Sequence, residues 1–510
     1  MKNKLLFFVL MLLFIRYSPY AQDFGFGFEE EESAGVSSVL LKTGGEVIVE
    51  AMPFIYEFIN KQEAADISSW NVKLNLSLLM SYVDIITVFN LNTDSINELW
   101  AGNSMLKNSN YTPLIIDEAF LRAYIGPVNI ETGFRKLSWG KADAGGPLDV
   151  TNPLNYTDLR NLADIRAIKI ARPMVHVTWN TGALSRLEGV FIPNFAGHRY
   201  AFDGRWKPSQ LDSMMKSAEE TITLTGEQMF ADRIDLSNLG FAELYQLQTV
   251  LRSMNERLKT HLSGIQSFYP SAKSIDYFQA GLRYSATIGS ADIGAQYYYG
   301  NLFRPIFTMK GIDAFFVDFY DNIHPFGSYY GNVSLITPVI KYSRYHQIGI
   351  DYAQILFGFN LRAEAAVFFT EDLKGTDGSV QNPFIGWSLG FDRNLFWGIN
   401  LIMQCNENIR LLNSRLGTNP AFDAEANTSI TSTRLTTQLS KKFLRDILET
   451  KAALIWDIEN TDFHIIFGII WTADNLTVMF SSGIFAGNKT GEMGQYRDNS
   501  YVKLSLRYVF

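Results

Sequence analysis

The stretch Trp70-Asn71-Val72-Lys73-Leu74-Asn75-Leu76-Ser77-Leu78 sets an apolar side chain at every second position and a polar one between. Successive side chains of a strand point to opposite faces. One face therefore carries Trp70, Val72, Leu74, Leu76 and Leu78, and the other Asn71, Lys73, Asn75 and Ser77. A helix would smear both sets around its circumference. The two-residue period returns elsewhere. Phe359, Leu361, Ala363, Ala365, Val367 and Phe369 oppose Asn360, Arg362 and Glu364. Phe278, Ala280, Leu282, Tyr284 and Ala286 oppose Gln279, Arg283 and Ser285, and Ile385, Trp387, Leu389 and Phe391 oppose Gly386, Ser388, Gly390 and Asp392.

Alternation alone also fits a soluble sandwich or propeller. Two features favour a transmembrane barrel. The apolar faces hold about five alternating positions, which suits tilted strands of about 9–11 residues crossing a bilayer. Aromatic side chains near strand ends (Trp70, Trp139, Trp179, Trp397, Trp456, Trp471, Tyr297, Tyr299 and Tyr508) suit the interface girdles of such a barrel. Beyond the N-terminus no charge-free apolar run approaches the roughly 20 residues of a spanning helix.

Connection lengths give an independent reading. Short links fit at Ser81–Asp84, Gly126–Asn129, Asn180–Leu184, Gly289–Ala291, Tyr352–Leu356, Asn394–Phe396, Leu444–Asp446 and Ala473–Asn475. Longer ones fit near 57–69, 92–113, 140–167, 196–272, 303–337, 370–383, 410–430 and 487–500, with 458–462 the single short exception. Short and long alternate, as periplasmic turns and extracellular loops do. The expectation is an all-β antiparallel barrel of about 18 strands, with 16 the competing count and both termini periplasmic. The Phe/Tyr-rich stretch within 303–340 has room for another hairpin. The final strand, Tyr501 to Phe510, alternates to its last residue. Its Tyr508 and Phe510 resemble the C-terminal signal read by the barrel-assembly machinery of bacterial outer membranes.

The N-terminus reads as an export segment. Lys2 and Lys4 precede an apolar run from Leu5 to Ile15, and Ser18, Pro19, Tyr20 and Ala21 follow. The expected organisation is a signal peptide over 1–21, a periplasmic leader over 22–44 containing the acidic run Glu29–Glu32, and a barrel over 45–510. The 510-residue chain has a net charge of -8 and no basic stripe, which excludes nucleic acid as a partner. Cys405 is the only cysteine, which excludes a disulfide frame, a cysteine zinc cluster and an N-terminal lipid anchor.

Residues 196–272 form a connection of about 75 residues where ordinary loops run about 4–6. Within it Leu244, Leu247, Leu251, Met254 and Leu258 recur at helical spacing behind Ser237 and Asn238. A helix over 240–262 follows, with a second near 208–219, in an extracellular insert that is either a surface cap or a lid over the pore.

The polar strand faces carry both signs of charge. Lys73, Glu118, Arg122, Glu131, Arg135, Arg186, Glu188, Arg283, Arg362, Glu364, Arg434 and Lys451 are the candidate pore-lining residues, with Glu449, Lys503 and Arg507 on the same kind of face. A basic residue at mid-membrane on the lipid side would cost about 2–4 kcal/mol, so these belong inside. Glu118 and Arg122, like Glu131 and Arg135, share a face and fit cross-strand ion pairs. The excess of basic candidates leans toward anionic or polar solutes, although mixed charge also simply holds a barrel interior open.

Enzymatic readings find little support. The six histidines show no metal-ligand spacing, so neither metal nor other cofactor is expected. Gly386-Trp387-Ser388-Leu389-Gly390 matches a nucleophile-elbow pattern, but its serine sits inside an alternating strand with no helix after it. His198 and His324, in extracellular loops, are the remaining candidates for a hydrolase at the rim.

The run Arg135-Lys136-Leu137-Ser138-Trp139-Gly140, then Asp149-Val150-Thr151-Asn152-Pro153-Leu154, then Glu188 to Phe195, resembles a bacterial outer-membrane barrel family of unassigned function, distantly similar to alginate-export porins. The resemblance covers roughly 130–195 and implies a porin-like barrel; the helical insert departs from it. Physically, Trp139-Gly140 ends a strand at the interface, Gly145-Gly146 permits a sharp turn, and Asn152-Pro153 pins an extended one. Trp139, Gly145, Gly146, Asp149, Asn152 and Pro153 are therefore candidates for a loop that either folds inward and constricts the pore or stays at the surface. The leading expectation is an outer-membrane channel, embedded in lipid, that passes small polar or anionic solutes. The alternative is a plugged barrel that displays 196–272 as an adhesive element.

Overall fold

A computed structural model of the chain describes residues 39–60, 68–93, 95–96, 115–162, 164–201, 204–210, 275–312, 314–315, 317–318, 332–413, 417, 423–426 and 428–510, with isolated positions between 216 and 261. Backbone polar groups in a bilayer core find no water, so strands can cross only where every edge is paired. The described residues meet that demand with one 18-stranded antiparallel sheet that closes on itself.

In chain order the barrel strands are β1 (Leu40–Ala51), β2 (Ser68–Leu79), β3 (Val83–Asn92), β4 (Ile116–Ile125), β5 (Val128–Arg135) and β6 (Arg172–Gly182). Then come β7 (Ser185–Ile192), β8 (Gln279–Ile288), β9 (Ala291–Asn301), β10 (Arg344–Leu356), β11 (Phe359–Thr370) and β12 (Phe384–Asn394). The circuit ends with β13 (Ile399–Arg410), β14 (Thr431–Phe443), β15 (Leu448–Asp457), β16 (Asp462–Ala473), β17 (Leu476–Ala486) and β18 (Tyr501–Val509). Each pairs with the next, and β1 pairs with β18 from Glu46↔Val509 to Ala51↔Leu504. Gly45 and Phe510 exchange two backbone hydrogen bonds of 2.9 Å at the closure. The first strand opens at Leu40, because Leu40 and Leu41 continue the register onto Leu79 and Leu78.

The period-2 pattern has become an inside and an outside. On β10, Ile348 and Ile350 are 57% and 61% exposed, while Gln347 and Asp351 on either side of them are 0% and 4% exposed. Trp70, Trp179, Trp397, Trp456, Trp471 and Tyr297 are exposed on the outer surface. Trp139 is the exception. β5 stops at Arg135, and the indole is buried inside the barrel, so it belongs to no girdle.

Tight turns join strands at one end, including Gly126 (φ 58), Gly289 (φ 64) and Leu444–Asp446 (φ 53, 56 and 68). One turn lies later than the sequence reading places it. β10 runs through Tyr352–Leu356, and the chain reverses at Phe357 (φ 52) and Gly358 (φ 78), a positive-φ pair matched to strand twist. At the other end the connections are long except 458–461. The stretch 303–340 does contain a hairpin, Ile306–Lys310 with Thr337–Lys341, but it stands outside the barrel sheet. The export segment and the acidic run of the expected leader lie outside the described residues, as does the leucine stripe of the insert, while residues 40–44 of that leader belong to the barrel as the start of β1. Tyr245, Thr249, Arg252, Ser253, Glu256, Arg257, Thr260 and His261 of that insert are helical.

Ile350→Arg, at mid-strand on the outer face, is expected to lower stability in lipid vesicles by about 2–4 kcal/mol, against about 0–1 kcal/mol for Phe357→Arg at the turn. Urea-dependent folding measures both, and equal costs would refute the inside–outside assignment.

Candidate functional site

The inner wall is built by strand parity, and every pore-lining candidate lies on it. Arg122 (β4) donates to Glu131 (β5) at 2.8 Å, and Arg135 also pairs with Glu131. His176 (β6) bridges Glu131 at 2.8 Å and Glu188 (β7) at 3.2 Å, and Glu188 meets Arg186 at 3.0 Å. Arg283 (β8) pairs with Asp351 (β10) at 2.7 Å. Glu118 takes a different partner from the one its spacing implies and accepts the Lys136 N–H at 2.8 Å. Lys73 faces Glu46 at 3.7 Å and Asp117 at 3.9 Å, Lys451 faces Glu449 at 3.3 Å, and Arg434 pairs with Glu492 of the β17–β18 loop.

Sequence reading missed His176, Asp351, Gln296, Gln347 and Gln404. Their parity was legible, since Gln347 and Asp351 alternate with Ile348 and Ile350, and His176 lies between Val175 and Val177. Asp84, Asp292, Asp351 and Asp392 also stand opposite inner-face residues in the ladder. The apparent excess of basic charge is thereby offset in part: buried Arg283 is neutralised by Asp351, whereas fully buried Arg172 meets only the Asn194 carbonyl and the Phe195 ring.

The chain between β5 and β6 does not stay at the surface. Residues 137–152 fold into the barrel and bind its far wall. The Glu364 carboxylate on β11 accepts the backbone N–H of Lys141, of Ala142 at 2.7 Å and of Leu148 at 3.3 Å. Gln404 on β13 accepts from Asp143 and Ala144 at 2.8 and 3.0 Å, and donates to the Gly145 carbonyl at 2.9 Å. Gln347 donates to the Pro147 carbonyl at 2.5 Å and Gln296 to the Leu148 carbonyl at 3.0 Å. Arg362 reaches Asp143 of the loop and Asp392 of the wall.

The candidate loop residues divide into anchors and turns. The Trp139 indole N–H donates to Glu188 at 3.3 Å. Gly145 adopts φ 71. A Cβ on Gly146 would lie 2.2 Å from a Glu364 oxygen, so only glycine lets the backbone sit on that carboxylate. Asn152 holds the base: it accepts from Leu137 N–H at 2.8 Å and donates to the carbonyls of Arg135 and Ile170 at 2.9 Å. Pro153 O accepts from Ile170 N–H at 2.9 Å. Asp149 takes the buried Lys169 ammonium at 2.8 Å, and burial still pushes the Asp149 carboxyl above its ordinary range. Leu137, Trp139, Leu148 and Val150 pack with Met174, Val190, Ile192, Tyr298, Tyr345 and Phe368 into an apolar cluster inside the barrel. The loop is thus clamped by polar groups at its tip and base and by apolar contact between.

The residues proposed for hydrolysis are placed otherwise. Ser388 is buried within β12, opposite Glu364 and Asn406, with strand on either side. His198 Nδ1 accepts from Leu154 N–H at 2.9 Å, and burial, reinforced by Arg304, pushes its pKa down to about 3. With that nitrogen occupied, His198 is a strut. His324 lies outside the described residues.

Glu364→Ala leaves three loop amides without their acceptor, each worth about 1–3 kcal/mol when buried and unpaired. The tip is expected to detach, and limited trypsin digestion of the folded protein should then cut at Lys141 faster than in the parent. An unchanged cleavage rate would show that Glu364 does not hold the loop.

No family model matches the chain, and no curated protein matches its sequence. Among solved structures it is similar in form to a BenF-like porin from Pseudomonas fluorescens Pf-5, at 10% identity and TM-score 0.42 over 93% of this chain and 99% of that one. It is likewise similar to OccK9 of Pseudomonas aeruginosa (9%, TM-score 0.42, 93% and 98%) and to the outer membrane channel DcaP of Acinetobacter baumannii (8%, TM-score 0.37, 92% and 97%). At such values the likeness is one of barrel form alone, and any function must be argued from the lumen.

Proposed function

We propose that this chain is an outer-membrane channel for small polar solutes, anions included, whose aperture is set by residues 137–152. One observation carries the reading: a loop crosses the interior of a closed, polar-walled barrel and is bonded to the wall from Glu188 on β7 to Gln404 on β13. A barrel meant only as a stand has no need of an inward loop tied by its backbone at fixed points.

The finer expectations follow from the same reading. The wall acts by field and hydrogen bonding, with no covalent step. Its export would use the segment 1–21, and its insertion the aromatic end at Tyr508 and Phe510. The resemblance over roughly 130–195 to a barrel family distantly similar to alginate-export porins takes in the loop and its clamps. Solute class would then be inherited, if at all, through this loop.

Refolded protein in planar bilayers is expected to give discrete ohmic steps in potassium chloride, and removal of 140–147 should enlarge each step. Liposome swelling should admit monosaccharides and small carboxylic acids and exclude trisaccharides, with the size limit relaxed by the same deletion. Absence of current in both forms would end the channel reading.

A further inference from the structure

Arg172 opens β6, where the β5–β6 loop rejoins the wall, and its side chain is fully buried. Nη2 donates to the Asn194 carbonyl, and the guanidinium carbon lies 5.6 Å from the centroid of the Phe195 ring. Nε and Nη1 meet no acceptor. Across the ladder stands another cation, Arg135, and the carboxylate on that side, Glu131, is already shared among Arg135, Arg122 and His176. Among the described residues the only titratable group that acts on Arg172 is the Tyr298 hydroxyl, which carries no charge to oppose it.

A second buried donor is idle beside the same tyrosine. Gln279, at the start of β8 and fully buried, accepts the Tyr298 O–H at 3.0 Å on Oε1, and its Nε2 has no acceptor. The charges that act on the Tyr298 hydroxyl are two cations, Arg172 and Arg344. Arg344 directs its donors at the carbonyls of Phe278 and Asp276. The carboxylates of Asp276 and Glu371 act one ring further out, on Tyr277, and on neither Arg172 nor Tyr298. Met174, Ile192, Phe195 and Tyr298, all buried, make the surroundings apolar.

A charge in such a place is tolerated when an opposite charge and hydrogen bonds accompany it. We infer that Arg172, assisted by the Gln279 amide, holds a resident inorganic anion: a halide, with chloride as the probe. Both residues offer only N–H donors at the unfilled positions, so the ligand must be an acceptor. One unmatched cation calls for one negative charge, and complete burial calls for a small ion that sheds its water readily. A doubly charged sulfate or phosphate would leave a net negative charge in the same apolar place. A water molecule would accept the hydrogen bonds but leave the positive charge uncancelled. The anion is structural. It sits two residues past Ile170, whose carbonyl Asn152 holds at 2.9 Å, and beside Tyr298, whose ring meets Trp139 edge-on at 6.2 Å. It therefore fixes the root of the loop that crosses the lumen, and it does so whether or not the barrel conducts.

Urea unfolding of the full chain in lipid vesicles reads this site when gluconate is replaced stepwise by chloride at constant ionic strength. Gluconate is too large to enter. Each tenfold rise in chloride beyond half-saturation should raise the folded-to-unfolded ratio about tenfold, and bromide should act likewise. Arg172→Met, which keeps a long side chain without charge, should abolish the dependence. Gln279→Glu sets a carboxylate where the anion would sit and should abolish it too, with the fold retained. Lys374→Ala, which removes an exposed cation from the β11–β12 loop, should leave the dependence intact. Equal stability in chloride and gluconate identifies a water at Arg172 and overturns the assignment, as does a chloride dependence that survives both Arg172→Met and Gln279→Glu. Should neither variant fold, crystals of the parent chain grown in bromide decide: anomalous signal beside the Arg172 guanidinium supports the site, and its absence there overturns it.

Discussion

Every backbone amide and carbonyl that enters hydrocarbon must find a partner within the protein, and that constraint shapes this molecule from its first strand to its last. It forbids an open edge, so β1 must meet β18, and the meeting runs out to the terminal residue, where Gly45 and Phe510 bond reciprocally. Once the sheet is closed, each strand owns an inside and an outside, and a two-residue period in the chain becomes a partition of space. Ile348 and Ile350 can face lipid only because Gln347 and Asp351 are thereby turned inward.

The inward set then meets a second constraint. A lumen narrow enough to discriminate holds little water, so its charges must be paired or reached by dipoles. The chain satisfies this by two routes. Side chains neutralise one another along the wall, as in Arg122–Glu131–His176–Glu188 and Arg283–Asp351. A loop backbone supplies the remaining donors, as at Glu364, whose oxygens accept amides that would otherwise be orphaned inside the barrel. Loop and wall are each other's solution, since neither the bare carboxylate nor the bare turn would be tolerated alone.

These two constraints explain what could be read in advance. Parity is local, visible within about nine residues, and it identified strand number, the alternation of turns and loops, and the inward facing of residues such as Arg362 and Lys73. Partnership is not local. Glu364 and Lys141 are 223 positions apart, and no spacing rule connects them. The same blindness put Trp139 in a girdle, because an aromatic near a strand end looks alike whether its strand stops at the interface or bends inward four residues earlier. Gly145 and Gly146 announced a turn; only Glu364 shows why the second must be glycine.

A clamped loop also determines what kind of selectivity this barrel can have. An aperture bounded by a swinging segment averages over shapes and sorts poorly by size. Here the tip is bonded on several strands, the base is held by Asn152 and Lys169, and the middle is buried in an apolar cluster, so its position has little freedom. Fixed geometry makes size exclusion sharp. Yet it leaves the field along much of the wall weak, because paired charges such as Arg283 and Asp351 cancel one another at close range.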